Sequence, residues 1–172
     1  MDFYDVIRQR RSIRNYDPNR PVEPEVMQRI LEAGRIAPSA TNAQPWTFVV
    51  VSSPEGLSRV RSAYSASWFQ DAPAVLAVVG RRSDAWTRQS DGYNALETDL
   101  TIALDHMILA AAAEGVGTCW IGAYQPDALK SALELKDGEE VFSITPLGYP
   151  RQDAELPPRR GRRSLDEIVR YL

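Results

Sequence analysis

Pro38-Ser39-Ala40-Thr41-Asn42-Ala43-Gln44-Pro45-Trp46 is a run of small and amide residues bracketed by prolines, and it separates a helical pattern from a strand pattern. Before it, Val26, Met27, Ile30 and Leu31 recur at helical spacing, predicting a helix that begins near Pro24 and is limited by Pro38. After it, Trp46 to Val51 is a continuous apolar run that predicts a buried strand. Asn42 and Gln44 each present a donor and an acceptor, which suits a heterocycle with alternating carbonyl and N–H edges. The plain alternative is a loop in which Asn42 makes an Asx turn ahead of the strand.

The pattern continues outward in both directions. Asp2 is a good N-cap for a short helix through Phe3, Val6 and Ile7. Pro54 to Ala66 has weaker helical spacing, and Ala74 to Val79 is a second apolar strand. Ala95 to Glu114 is apolar around much of its circumference, which predicts a buried central helix stopped by Gly115 and Gly117. A short strand is expected at Thr118 to Ile121, a helix at Pro126 to Leu133, and a strand from Val141 to Tyr149. Strands mixed with helices without strict alternation predict an α+β fold. The 172 residues imply one domain, with residues 150–172 as an extended tail carrying Leu165, Ile168, Val169 and Leu172.

Composition removes several function classes. Cys119 and His106 are the only cysteine and histidine, so disulfides, CxxC pairs and Cys/His zinc sites lack ligands within one chain. No nucleophile elbow accompanies His106, and neither a Walker A sequence nor a GxGxxG after a strand is present. Difficult chemistry would therefore need a cofactor bound some other way. A net charge of −3 argues against general nucleic-acid binding. The N-terminus lacks a leader pattern and no apolar run is long enough to span a bilayer, so a soluble, cytoplasmic protein is expected.

Of the 20 basic residues 18 are arginine, and eight of these form two clusters, Arg8, Arg10, Arg11, Arg14 and Arg159, Arg160, Arg162, Arg163. Arg10-Arg11-Ser12-Ile13-Arg14 reads either as a phosphate-binding segment or as a solvated basic helix end. The tail cluster has the same two readings. Gly117 to Ala123 can bring bare backbone N–H groups against a flat ligand, or can simply end a helix and start a buried strand around Cys119. Trp68, Phe69, Trp86 and Tyr93 suit either a lid or core packing.

Taken in order, Arg10 to Arg14, Pro38 to Trp46, Asp71-Ala72-Pro73, Gly117 to Gly122 and Pro146-Leu147-Gly148-Tyr149-Pro150 resemble the nitroreductase family of flavin enzymes. The resemblance implies a central mixed sheet flanked by helices and an intertwined homodimer with each FMN at the subunit interface. It implies that Arg10 and Ser12 hold the phosphate and ribityl end with Arg160 and Arg162, and that Arg14 reaches the pyrimidine side. Pro38, Ser39, Ala40 and Asn42 would come from the partner subunit, and the backbone N–H groups of Gly122 and Ala123 would meet flavin N5. Arg11, Gln44 and Ile121 are counted with this set. One residue's shift in the tail would exchange Arg160 and Arg162 for Arg159 and Arg163.

The implied reaction is ping-pong. NAD(P)H gives hydride to the flavin and leaves, and a nitro, quinone or related small acceptor takes its place, so no protein nucleophile is required. Trp68, Phe69, Trp86 and Tyr124 are the expected walls of the acceptor site. Three alternatives stand beside it: a flavin-binding or sensor protein without turnover, a branch with other flavin chemistry such as reductive dehalogenation or flavin breakdown, and an interaction domain whose arginines meet an acidic partner. The chain is shorter than the lid-bearing family members and has Asp105-His106 where an amide pair is expected.

Overall fold

A computed structural model describes residues 2–153, Glu155, Pro158 and residues 160–172. Four strands form one sheet in the order β1-β2-β4-β3, where β1 is Trp46–Val51, β2 Ala74–Gly80, β3 Gly117–Thr118 and β4 Glu140–Gly148. All the ladders are antiparallel, and the parallel component is a single bridge between Ser12 and Thr118. Helices α1 (Phe3–Gln9), α2 (Pro24–Arg35), α3 (Pro54–Arg61), α4 (Leu96–Ala113) and α5 (Pro126–Ala132) complete the α+β architecture.

The central strand β2 is buried along its whole length because both faces of the sheet are covered. Ala74, Leu76 and Val78 point to one side, where Ile30 of α2 and Leu100, Leu104, Met107 and Ile108 of α4 cover them. Val75, Ala77 and Val79 point to the other, against Leu57 and Val60 of α3 and Leu129 of α5. The all-round apolar character of α4 follows from its position between α2 and the sheet. The α2–α4 approach depends on Gly34, where an added Cβ would lie 2.7 Å from the Met107 side chain. Gly115 ends α4 at φ 75°, a left-handed conformation that glycine adopts without a Cβ penalty.

Two elements are shorter than their sequence predicts: α3 ends at Arg61 rather than near Ala66, and the strand expected over 118–121 is cut short. Residues 117–121 run beside β4 in constant register, with Gly117 opposite Gly148 and Ile121 opposite Ile144, yet the ladder stops after Thr118. Cys119 falls opposite Pro146, which has no N–H to give, and the Cys119 N–H donates instead to the Thr145 hydroxyl at 3.1 Å. Pairing resumes at Ile121, whose N–H and carbonyl both bond to Ile144. The tail apolar set does not join the core: Leu165, Ile168, Val169 and Leu172 are all exposed.

No helix among the described residues is long and apolar enough to cross a membrane.

Candidate functional site

The sequence clusters at the two ends of the chain meet in space. A cavity of about 540 Å³ is lined by Arg8, Arg10, Arg11, Ser12 and Arg14, which follow one another out of α1, and by Pro158, Arg160 and Arg162 of the tail. Among the described residues, six that bear guanidinium groups surround it, and none of those lining it is aspartate or glutamate. Arg163 is not among the lining residues, and Arg159 lies outside the described residues. Arg8, a member of the N-terminal cluster but outside the set that the family resemblance implies, also lines the cavity.

Local structure explains how these residues are held. Asp2 caps α1 by accepting the Asp5 N–H at 2.9 Å, and the helix ends at Arg10. The chain then turns alongside β3, where the Ile13 N–H donates to Thr118 O at 2.8 Å. Ile13 is buried against Gly117, whose added Cβ would meet it at 2.9 Å. Tyr16 donates to Ile13 O at 2.7 Å, and burial pushes its phenol far above the usual range, with Cys119 reinforcing the shift and Arg14 opposing it. The backbone between Arg10 and Tyr16 is therefore fixed, and the arginine side chains project from a rigid edge.

Arg14 lies over the Trp68 ring at 5.7 Å from its centroid, and Trp68 packs on Tyr16, Tyr64 and Phe69. Trp68 is thus a platform for Arg14. Phe69, expected as a wall of the acceptor site, is a correction: it is fully buried among Leu57, Val60 and the inner face of the sheet, and presents nothing to a ligand.

Beside the cavity, Cys119 is buried, and burial pushes its thiol up, with partial offset from Arg14, a Ser12 hydrogen bond and Arg10. Further along, Gly122 and Ala123 are exposed, and an added Cβ at Gly122 would have no heavy atom within 4 Å. Their backbone is open to a flat ligand. Ile121 differs from that expectation, because both its backbone groups are used in the sheet and its side chain is buried. Tyr124 is half-buried with its hydroxyl donating to Val141 O at 2.7 Å.

The Pro38 to Pro45 segment is elsewhere. It enters β1 at Trp46, which pairs with Gly80, which pairs with Glu140; β3 and the Ser12 bridge lie at the other end of β4, beside Leu147 and Gly148. Seven residues of β4 separate these ends, which is roughly 24 Å at about 3.4 Å per residue. Within the segment Thr41, Asn42 and Gln44 have φ of 53°, 59° and 52°, three left-handed positions of which none is glycine. Ser39 Oγ accepts the Gln44 N–H at 2.9 Å, and the Ala40 N–H donates to Asp99 Oδ1 of α4 at 3.0 Å. The Gln44 side chain donates to Asn42 O at 3.2 Å. Trp86 belongs to this same end, since its carbonyl accepts the Ala95 N–H where α4 begins, and it is part-exposed. Asp105 is exposed and His106 half-buried on α4, and neither lines the arginine cavity.

The arginine cavity and the Ser39 to Gln44 loop therefore lie at opposite ends of one chain's sheet. The first fits FMN on its own chemistry: a cavity of guanidinium groups with a serine hydroxyl suits a phosphate dianion, and the open backbone at Gly122 admits a planar ring. The second offers exposed amides on a strained loop.

Comparison with known proteins identifies the family. A protein of Archaeoglobus fulgidus provisionally named an NADH dehydrogenase/NAD(P)H nitroreductase is 32% identical over 169 residues, covering 96% of this chain and 95% of its own. The crystal structure of a nitroreductase family protein from Clostridium difficile 630 superposes with a TM-score of 0.90 at 34% identity, covering 99% of this chain and 98% of that one. A Desulfovibrio desulfuricans protein described as a nitroreductase in complex with FMN has a TM-score of 0.80 at 29% identity, covering 98% and 95%. An iodotyrosine deiodinase of Haliscomenobacter hydrossis is more distant, 25% identical over 200 residues, covering 99% of this chain and 89% of its own. The Nitroreductase family model matches residues 7–68 and 55–149, and the chain belongs to the nitroreductase family.

Proposed function

We propose that this chain is an FMN-dependent oxidoreductase that takes reducing equivalents from NAD(P)H and delivers them to a nitro, quinone or related small acceptor. The observation that carries the reading is the arginine cavity, because Arg10, Ser12 and Arg14 from one end of the sequence meet Arg160 and Arg162 from the other there. Arg10, Ser12, Arg160 and Arg162 would hold the phosphate and ribityl end, with Arg8 and Arg11 adding positive charge around it. Arg14, seated on Trp68, would supply a cation to the pyrimidine side, where it favours negative charge on the reduced ring. Gly122 and Ala123 would let the ring approach the backbone. When bound, FMN would supply the hydride chemistry, which is why no protein nucleophile is needed.

The working unit in this reading is a homodimer. Ser39, Ala40, Asn42 and Gln44 lie roughly a sheet length from the same chain's arginines, so a second copy must bring them to the flavin. The exposed apolar side chains Phe3, Tyr4 and Ile7 of α1 and Leu165, Ile168 and Val169 of the tail fit the same conclusion, since such surface is normally covered by a partner. Trp86 and Tyr124 are the remaining candidates for walls of the acceptor site.

The test is a visible absorption spectrum of the purified protein, then anaerobic addition of NADH and NADPH in the same cuvette. A flavin spectrum that bleaches supports the reading; a protein that stays colourless after added FMN overturns it. The similarity to iodotyrosine deiodinases favours reductive dehalogenation as a second reading. Release of iodide from iodotyrosine by the reduced protein, with no turnover of nitroaromatics or quinones, would select it.

A further inference from the structure

Asp99 is the fourth residue of α4 and is only 2% exposed. Its Oδ1 accepts the Ala40 N–H at 3.0 Å, and its Oδ2 is buried without a hydrogen-bond partner among the described residues. A carboxylate buried with one oxygen unused is an expensive way to hold one backbone amide, even near a helix N-terminus that favours negative charge.

What it holds explains its presence. Thr41, Asn42 and Gln44 all sit at positive φ, and Thr41 is β-branched, the kind of residue that resists this region most. Such conformations persist only where the surroundings enforce them. The other hydrogen bonds of the loop are internal: Asn42 N to Ser39 O, Ala43 N to Ala40 O, Thr41 Oγ1 to Ala40 O, Gln44 N to Ser39 Oγ and Gln44 Nε2 to Asn42 O. Internal bonds shape the loop but cannot orient it on the protein. Among the described residues, Asp99 supplies the hydrogen bond that ties Ser39 to Gln44 to another element, and that element is the rigid central helix.

We propose that Asp99 is a positioning residue that, through the Ala40 amide, holds the strained Ser39 to Gln44 loop in the orientation that meets the flavin of a second copy. This rests on the flavin reading above. Asp99 touches no ligand itself. It presets the loop's amides so that binding does not have to order them.

The experiment compares wild type, Asp99→Ala, Asp99→Asn and the double variant Asp99→Ala with Thr41→Gly. FMN affinity is read by fluorescence titration, loop geometry by visible circular dichroism of the bound flavin, and folding by far-ultraviolet circular dichroism. Asp99→Ala is expected to stay folded, lose at least about tenfold in FMN affinity and change the flavin dichroism. Asp99→Asn keeps an acceptor for Ala40 and should recover most of the loss. Thr41→Gly removes the strain at that position and should recover part of it. Wild-type affinity and dichroism in Asp99→Ala overturn the inference and leave the flavin reading standing. Asp99→Asn as weak as Asp99→Ala also overturns it, and if Asp99→Ala does not fold, a tenfold loss in Asp99→Asn does the same. A wild-type protein that does not bind FMN overturns both.

Discussion

Replacing Arg10 or Arg160 by alanine should weaken the preference of this protein for FMN over riboflavin, two ligands that differ only in the phosphate. A hydrogen bond to a charged group contributes roughly 1.5 to 3 kcal/mol, so losing one guanidinium contact corresponds to about 10- to 150-fold in affinity. The two positions divide that range. Arg10 is half-buried where α1 ends, and its loss should fall toward the upper part. Arg160 is exposed, so water and salt screen it, and about tenfold is expected. The assay is parallel titration of apoprotein with FMN and with riboflavin, followed by flavin fluorescence at low and high salt. Riboflavin affinity should stay within about twofold of wild type in both variants, because neither arginine is assigned to the ring. High salt should lower wild-type FMN affinity more than that of the variants. If both variants keep the wild-type FMN-to-riboflavin ratio, the cavity is not a phosphate site and the cofactor assignment loses its main support.

Gly122→Val should leave the fold intact, since nothing lies within 4 Å of the new Cβ, yet abolish flavin binding or slow turnover by more than about tenfold; normal flavin content and normal turnover would place the ring elsewhere. Gly80→Ala puts a methyl 2.5 Å from Pro45 O and 2.7 Å from the Leu96 side chain, so overpacking should cost about 1 to 3 kcal/mol and lower Tm by several degrees in a thermal scan. Tyr16, Cys119, Tyr124 and Tyr149 all have ionisation pushed up, with burial as the first cause at each. Their stabilisation is complete below the unfolded thiol and phenol values of about 8.5 and 10 and is lost as pH rises toward the folded values, so Tm should fall above about pH 9; tyrosines that all titrate normally in folded protein would contradict this. Cys119 should also resist alkylation until the chain is unfolded.

The sequence carried the element order because periodicity is a local property. The α4 helix and the β1, β2 and β4 strands appear within a residue or two of their expected limits. Residues 118–121 read locally as one strand, because the residue that interrupts their ladder, Pro146, is far away in sequence and acts only through the register of β4. Phe69 and Trp68 are adjacent and equally aromatic, and only packing shows that one fills the core while the other supports Arg14. The convergence of the two arginine clusters came from family resemblance rather than spacing. Asp99 did leave a signal, an acidic residue in a stretch of apolar helix, but its target, a single backbone amide, has no signature in composition.

The distance between the two half-sites has a genetic consequence. Each flavin site of the dimer would draw its arginines from one chain and its loop from the other, so a lesion in Arg10 and a lesion in Asn42 carried on different alleles would segregate within mixed dimers. One site would inherit both defects and the other neither. Two inactive alleles would then restore activity on co-expression, whereas the same two lesions on one allele, mixed with wild type, would leave every mixed-dimer site with one defect. In the proposed dimer, half-sites at opposite ends of a sheet would thus make activity a property of allele pairs.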